Sequence, residues 1–185
     1  MPVSLYIVAP FLFAFGSGET LTRNPGETIK HFAARMLPPK TQLAHLPLEG
    51  TFGPGAGNIV VLFQPAEGVD TNYSGLVLVP VQEGRYRKIE LPKLSEIPGR
   101  FEITVKSVFF EDIDGDSSPE LFILSNYHRN GATEDDTDAV AIYRWTGDAF
   151  SRLDEKIEGK FTGLHTAAAV RNKIRAAKKL SPRRP

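Results

Sequence analysis

Residues 58–63 read NIVVLF, in which Asn58 is followed by an uninterrupted apolar run with β-branched and aromatic side chains. Two similar runs follow, LVLVPV at residues 76–81 and YRKIEL at residues 86–91, with Glu83 and Gly84 between them. Such residues favour strands, and a glycine between two strand runs supplies the positive φ that a tight hairpin requires. The three runs therefore predict an antiparallel unit of three strands.

A second set of apolar runs repeats this arrangement later in the chain. Its members are ELFIL at residues 120–124, AVAIY at residues 139–143 and FSRL at residues 150–153. The offset between the two sets is nearly constant, since Ile59 corresponds to Leu121, Leu76 to Ala139, and Gly84 to Gly147. Self-similarity of this kind indicates a duplicated structural unit.

Amphipathic helices are expected on both sides of these units. Asn24 and Pro25 predict a helix start, with Asn24 as the N-cap and Pro25 at the first helical position. A second helix is expected to start near Thr166, with His165 assisting its cap. The glycine-rich stretch at residues 50–57 is expected to be a plain flexible connection. We therefore predict a mainly β fold, an antiparallel sheet or sandwich built from two similar strand units with one helix near each terminus.

Composition excludes several classes of protein. The chain has 185 residues, enough for one domain with a sizeable core, and it carries 22 basic and 22 acidic residues. This balance gives no signal for nucleic-acid or membrane binding. The absence of cysteine excludes a disulfide scaffold and a thiolate metal site. Residues 171–185 hold seven cations and no acid, which we expect to offset the partial negative charge at a helix C-terminus.

The N-terminal segment carries an apolar run from Leu5 to Phe15. A membrane-spanning helix needs about 20 apolar residues, more than this run provides, so no membrane span is predicted here. The run suits a secretory signal, with small residues at Ala14 and Gly16 in the places that precede a cleavage site. The alternative is a buried N-terminal strand, because no basic residue precedes the run and Pro10 interrupts it.

The predicted organisation has three parts. Residues 1–18 are a signal peptide or an N-terminal strand, residues 19–180 are one β-rich domain, and residues 181–185 are a basic disordered tail. The signal-peptide interpretation places the protein in the periplasm or outside the cell.

One loop carries residues with metal-binding chemistry. Residues 109–121 read FFEDIDGDSSPEL, which places Asp112, Asp114, Asp116 and Glu120 at positions 1, 3, 5 and 9 of a tight loop. Ser118, at position 7, can add its carbonyl oxygen. Calcium prefers six to eight oxygen ligands at about 2.3–2.6 Å, and carboxylates packed this closely repel one another unless a cation neutralises them. The alternative is an acidic turn whose aspartates bond local backbone N–H groups.

This stretch resembles the aspartate loops of FG-GAP or VCBS-type repeats, which occur in integrin α-chain propellers and in many exported bacterial proteins. The family pattern is Asp-x-Asp/Asn-x-Asp-Gly-x-x-Asp/Glu followed by an apolar strand, and the resemblance implies a calcium ion at these positions. Ser117 departs from the pattern, because it stands where the family normally has a glycine. That position often needs a positive φ, which serine tolerates poorly.

More loosely, the whole chain resembles a group of small exported bacterial proteins, a likeness that implies no known activity. Those proteins share a secreted start, an early helix, an Asp-rich strand–turn–strand core and a terminal helix that begins with Thr-Ala-Ala. The periplasmic lysozyme inhibitors are a candidate structural relative, since they are also small exported β-proteins.

No enzyme is predicted. The four histidines do not stand at metal-ligand spacing, and neither His-Glu-x-x-His nor Gly-x-Ser-x-Gly occurs. A second acidic stretch, EDDTD at residues 134–138, is expected to be a solvated mobile loop. We therefore predict a non-catalytic exported binding module with a structural calcium loop, whose partner is a protein or another component of the cell envelope. The alternative is a periplasmic inhibitor of a cell-wall hydrolase.

Overall fold

The computed structural model describes residues 20–67, 73–92, 101–129 and 136–180, and these form a mainly β fold, as predicted. The strands are β1 (Thr20–Thr22), β2 (Thr41–Leu43), β3 (Leu48–Phe52), β4 (Gly55–Pro65), β5 (Ser74–Gln82), β6 (Arg85–Glu90), β7 (Phe101–Glu111), β8 (Glu120–Arg129), β9 (Thr137–Trp145) and β10 (Phe150–Arg152). The helices are α1 (Ile29–Arg35), α2 (Glu155–Glu158) and α3 (Ala167–Leu180), with a 3-10 turn at Gly159–Phe161.

Two antiparallel sheets contain these strands. Sheet A has the order β1-β6-β5-β4-β2, and β3 also pairs with β4. Sheet B has the order β10-β9-β8-β7. The strands β3 to β6 form a meander in sheet A and β7 to β10 form another in sheet B, so the two predicted units lie in different sheets. Gly84 and Gly147, in the corresponding hairpins, have φ values of +67° and +108°, as the predicted turns require.

The inner faces of the two sheets pack together and form the largest apolar cluster. Its buried members include Val60, Leu62 and Val77 from sheet A and Leu121 and Ile123 from sheet B. Full burial of side chains of this size contributes about 1.5–3 kcal/mol each to folding. The molecule is therefore a sandwich, one of the two predicted arrangements.

The strands β3 and β7 meet where the two sheets approach each other. The rings of Phe52 and Phe110 stack with centroids 4.2 Å apart. A Cβ atom at Gly50 would lie 2.2 Å from the Phe110 ring, so only glycine permits this approach. The contact holds the β3–β4 turn of sheet A close to strand β7, which leads directly into the acidic loop.

Helices cover the outer faces of both sheets. Phe32 and Ala33 of α1 pack in one cluster with Ile59, Val61 and Leu78 of sheet A. On sheet B, the cluster of Phe109, Phe122 and Ile142 is covered by α3, α2 and the 3-10 turn, through Val170, Ile174, Ile157 and Phe161. Because both faces of each sheet are buried, the central strands are continuous apolar runs and do not alternate with polar residues.

Several predicted local features are wrong. The first helix is capped by Thr28, whose Oγ1 accepts a hydrogen bond from His31 N, and it does not start at Asn24 and Pro25. Gly26 has a φ of +76°, which an α-helix cannot contain, so residues 24–27 form a turn.

The glycine-rich stretch at residues 50–57 is not a flexible connection. It forms the end of β3 and the start of β4, paired as a hairpin. The predicted start of the last helix is confirmed, since Thr166 Oγ1 accepts from Ala169 N at 3.1 Å. The signal-peptide and tail predictions, for residues 1–18 and 181–185, lie outside the described residues.

Candidate metal centre

The acidic loop connects β7 to β8 and gathers three of its predicted ligands. Carboxylate oxygens of Asp112, Asp114 and Asp116 lie within 4.8 Å of one another, so these three side chains could hold a metal ion. The backbone turns inward because Gly115 and Ser117 adopt φ values of +87° and +68°. Ser117 thus adopts the positive φ that the glycine position of the aspartate-loop pattern often needs, although serine tolerates this conformation poorly.

Backbone N–H groups of the loop orient the three aspartates. Asp112 accepts hydrogen bonds from Gly115 N at 2.7 Å and from Ser117 N at 3.3 Å. Asp114 accepts from Asp116 N at 3.3 Å, and Asp116 accepts from Ser118 N at 2.7 Å. These bonds are those expected of an acidic turn, and they also hold the carboxylates in one place without any ion.

Two cationic side chains from other elements reach the loop. Arg144 of β9 lies 2.6 Å from both the Asp114 and the Glu120 carboxylates, and Lys178 of α3 lies 3.1 Å from Asp112. Burial tends to raise the pKa of Asp112, but bonds from Gly115 N, the Lys178 ammonium and Ser117 N together hold that pKa below its usual value. The aspartate is therefore ionised at neutral pH.

Glu120 lies at the end of the acidic loop, where β8 begins, and is not a member of the cluster formed by the three aspartates. Its side chain is 1% exposed, Oε2 accepts from Ile113 N at 2.9 Å, and Oε1 accepts from Arg144 Nε at 2.8 Å.

Asn58 begins the equivalent strand run in sheet A, as Glu120 does in sheet B. Asn58 is equally buried, and its Nδ2 donates to the carbonyl oxygens of Phe52 and Gly55. In each meander, one buried polar side chain thus forms hydrogen bonds with the backbone of the first connection between strands.

The residues present fit a hard cation in geometry and in charge. Ligand oxygens about 2.4 Å from a common centre lie no more than about 4.8 Å apart, and the carboxylate oxygens of the three aspartates lie within 4.8 Å of one another. Asp112, Asp114, Asp116 and Glu120 face two cations, Arg144 and Lys178, so two negative charges in this group are uncompensated. Ser118 is exposed at the expected position of a carbonyl ligand.

Sequence reasoning missed a second polar cluster, centred on Asp138. This residue was expected in a solvated loop, but it lies in β9 with its side chain 2% exposed. It accepts from Lys106 at 2.7 Å, Asn126 at 2.9 Å and His165 at 2.6 Å. His165 therefore binds sheet B, and Thr166 provides the cap. The alternation of Asp138, Val140 and Ile142 is the signal that could have placed Asp138 on a buried strand face.

A surface cleft of about 460 Å³ opens beside the β3–β4 and β9–β10 turns. It is lined by Trp145, Pro54, Pro80 and Val81, among others, and Val81 is half exposed. Trp145 directly follows Arg144 in β9, so the cleft and the acidic loop share one end of the sandwich.

Comparisons with protein-family models, with curated proteins and with solved structures find no match to this chain. The likeness to aspartate-loop repeats therefore depends on the motif and its geometry alone. Among the helices of the described residues, none combines the length and the apolar character that crossing a membrane requires.

Proposed function

We propose that this protein is a non-catalytic, exported binding module whose acidic loop takes up a structural calcium ion. The observation that carries the calcium proposal is the convergence of Asp112, Asp114 and Asp116 on a loop that turns through two residues with positive φ. The export component depends on the sequence of residues 1–18, and the partner is a protein or another component of the cell envelope.

The electrostatics of the loop favour a divalent cation. The carboxylates of Asp114 and Glu120 share the single guanidinium of Arg144, and Asp116 has no ion pair among the described residues. Like charges this close destabilise the folded state, and an added divalent cation relieves the repulsion. Calcium suits the site better than magnesium, because calcium accepts irregular oxygen coordination whereas magnesium demands a near-ideal octahedron.

The ligand set that we assign differs in one respect from the family pattern. Asp112, Asp114, Asp116 and the Ser118 carbonyl would contact the ion, while Glu120 is held by Arg144 and Ile113 N and mainly fixes the loop. Four protein ligands are fewer than the six to eight oxygens that calcium prefers, so water would fill the remaining positions. We therefore expect weak affinity, closer to that of extracellular calcium modules than to that of cytosolic buffers.

Calcium titration by calorimetry on the full chain tests this proposal. Asp116→Asn removes one ligand charge but keeps an oxygen that can accept the bond from Ser118 N, so the loop should fold as before. We expect wild-type protein to bind one calcium ion and the variant to bind at least tenfold more weakly. Asp148→Asn, in the neighbouring β9–β10 turn, is the control and should bind like wild type. Absence of heat in wild-type protein at millimolar calcium would refute the proposal.

A further inference from the structure

The helix α3 packs on sheet B through few apolar side chains. Among the side chains that the structure describes in this 14-residue helix, Val170 and Ile174 are the two that are buried. The others are small, polar or cationic. Such a helix gains little from apolar burial, so its attachment depends strongly on its polar contacts, which include a hydrogen bond from Lys173 Nζ to the Lys160 carbonyl oxygen.

The N-terminal end of α3 is pinned to β9. Gly163 N donates to the Asp138 carbonyl at 3.1 Å, and His165 Nδ1 bonds the Asp138 carboxylate at 2.6 Å. Gly163 has a φ of +76°, and a Cβ atom there would meet nothing within 4 Å. The chain is therefore anchored at Asp138, and no neighbouring atom packs against the Cα of Gly163 on the side where a Cβ would stand.

Two ion pairs hold α3 beyond its first turn, one before its midpoint with the end of β7 and one near its C-terminal end with the start of the acidic loop. Arg171 lies 3.3 Å from Glu111, and its guanidinium stands 4.8 Å over the Phe109 ring. Lys178 lies 3.1 Å from Asp112, and its side chain is 36% exposed. Exposed ion pairs of this kind are weak and exchange readily with solvent.

We propose that α3 is a strap that pivots about residues 163–166 and lifts from sheet B while the sandwich stays folded. The Lys178–Asp112 pair is the clip at its free end. Opening uncovers part of the apolar outer face of sheet B, including Phe109, which Arg171 now covers. The strands of the two sheets keep their inner core, since α3 contributes no residue to it.

Native-state hydrogen exchange on the full chain tests the strap. The measurement is made in chelator over a range of low urea concentrations, so it does not depend on calcium. In wild-type protein, amides of α3 should exchange at a lower free energy and with a smaller urea dependence than amides of β8. Lys178→Gln should speed exchange in α3 by about twofold to fivefold and leave β8 unchanged.

Arg175→Gln is the matched control, because it removes the same charge from an exposed position of the same helix. It should leave exchange in α3 close to wild type. The strap is refuted if α3 and β8 exchange with equal free energy and equal urea dependence in wild-type protein. Equal effects of Lys178→Gln and Arg175→Gln on α3, or equal acceleration of α3 and β8 by Lys178→Gln, would also overturn it.

Discussion

Ser117 is a non-glycine residue held at a φ of +68° in the middle of the acidic loop. A side chain in this left-handed region destabilises the folded state by about 1 kcal/mol. Glycine removes this strain, but it also increases the conformational entropy of the unfolded chain, which cancels part of the gain. We expect Ser117→Gly to raise the free energy of unfolding by about 0.5–1 kcal/mol in urea denaturation with chelator present. Relief of strain in the loop should also increase the additional stability that calcium provides.

Lys40 offers a control for the substitution at Ser117. It is the other described non-glycine residue with a positive φ, at +59°, and it lies far from the acidic loop in sequence. Lys40→Gly should raise stability by a similar amount but leave the calcium effect unchanged. A Ser117→Gly protein that is less stable than wild type would show that the serine side chain contributes more than its strained backbone costs.

The sequence predicts those features of the acidic loop that depend on the loop's own residues. Alternate spacing placed Asp112, Asp114 and Asp116 together, and the glycine position of the family pattern indicated the backbone of Ser117. The partners Arg144 and Lys178 were not predictable, because they come from β9 and α3, distant in sequence from the loop. Their positions depend on strand register and helix docking, which local sequence does not encode.

At the scale of elements, Asp138 joins β7, β8 and α3 through Lys106, Asn126 and His165. Burial raises the pKa of Asp138, but the Lys106 ammonium and the bonds from Asn126 and His165 lower it more, so the folded pKa lies below its usual value. The carboxylate thus contributes stability at pH values above about 4, and this contribution is lost as the pH falls through the folded pKa.

Asp138→Asn should therefore lower the free energy of unfolding by about 2–3 kcal/mol at pH 7. The difference between wild type and variant should shrink as the pH falls from neutral to below about 4, because the unfolded wild-type chain then binds a proton at Asp138 more readily than the folded protein does. Urea denaturation at several pH values measures this difference. Asp136→Asn, at an exposed position, is the control and should cost less than about 0.5 kcal/mol. A difference that is constant across this pH range would contradict the account.

The elements that sequence predicted well are the long apolar runs. The runs that became β4, β5, β8 and β9 were recognisable because both of their faces are buried. The strand β3 was missed because its residues mix with the glycines of a tight hairpin, which were interpreted as a flexible connection. The start of α1 was placed too early because Asn24 and Pro25 provide helix-start residues in what is a turn before the Thr28 cap.

At the scale of the whole molecule, the fold has four layers: α1, sheet A, sheet B, and α2 with α3. The loop joins an outer strand of sheet B, β7, to a central strand, β8, and its charges reach β9 and α3. The loop's carboxylates therefore contact parts of the fold that are far apart in sequence, whereas the ligands assigned to the cation all lie between residues 112 and 118. Binding of the cation should stabilise the molecule as a whole, since the unfolded chain does not hold these aspartates together.

Thermal melting of the full chain, in chelator and in calcium at a hundredfold excess over the dissociation constant found by calorimetry, tests whether the cation stabilises the whole molecule. If calcium binds the folded state alone, a hundredfold excess over the dissociation constant adds about 2.7 kcal/mol. For a chain of this size we predict a rise in Tm of about 5–10 °C, which should fall to about half or less in Asp116→Asn and be much smaller with magnesium. Identical wild-type curves in chelator and in calcium would contradict the account and leave the loop as an acidic turn held by its own backbone, Arg144 and Lys178.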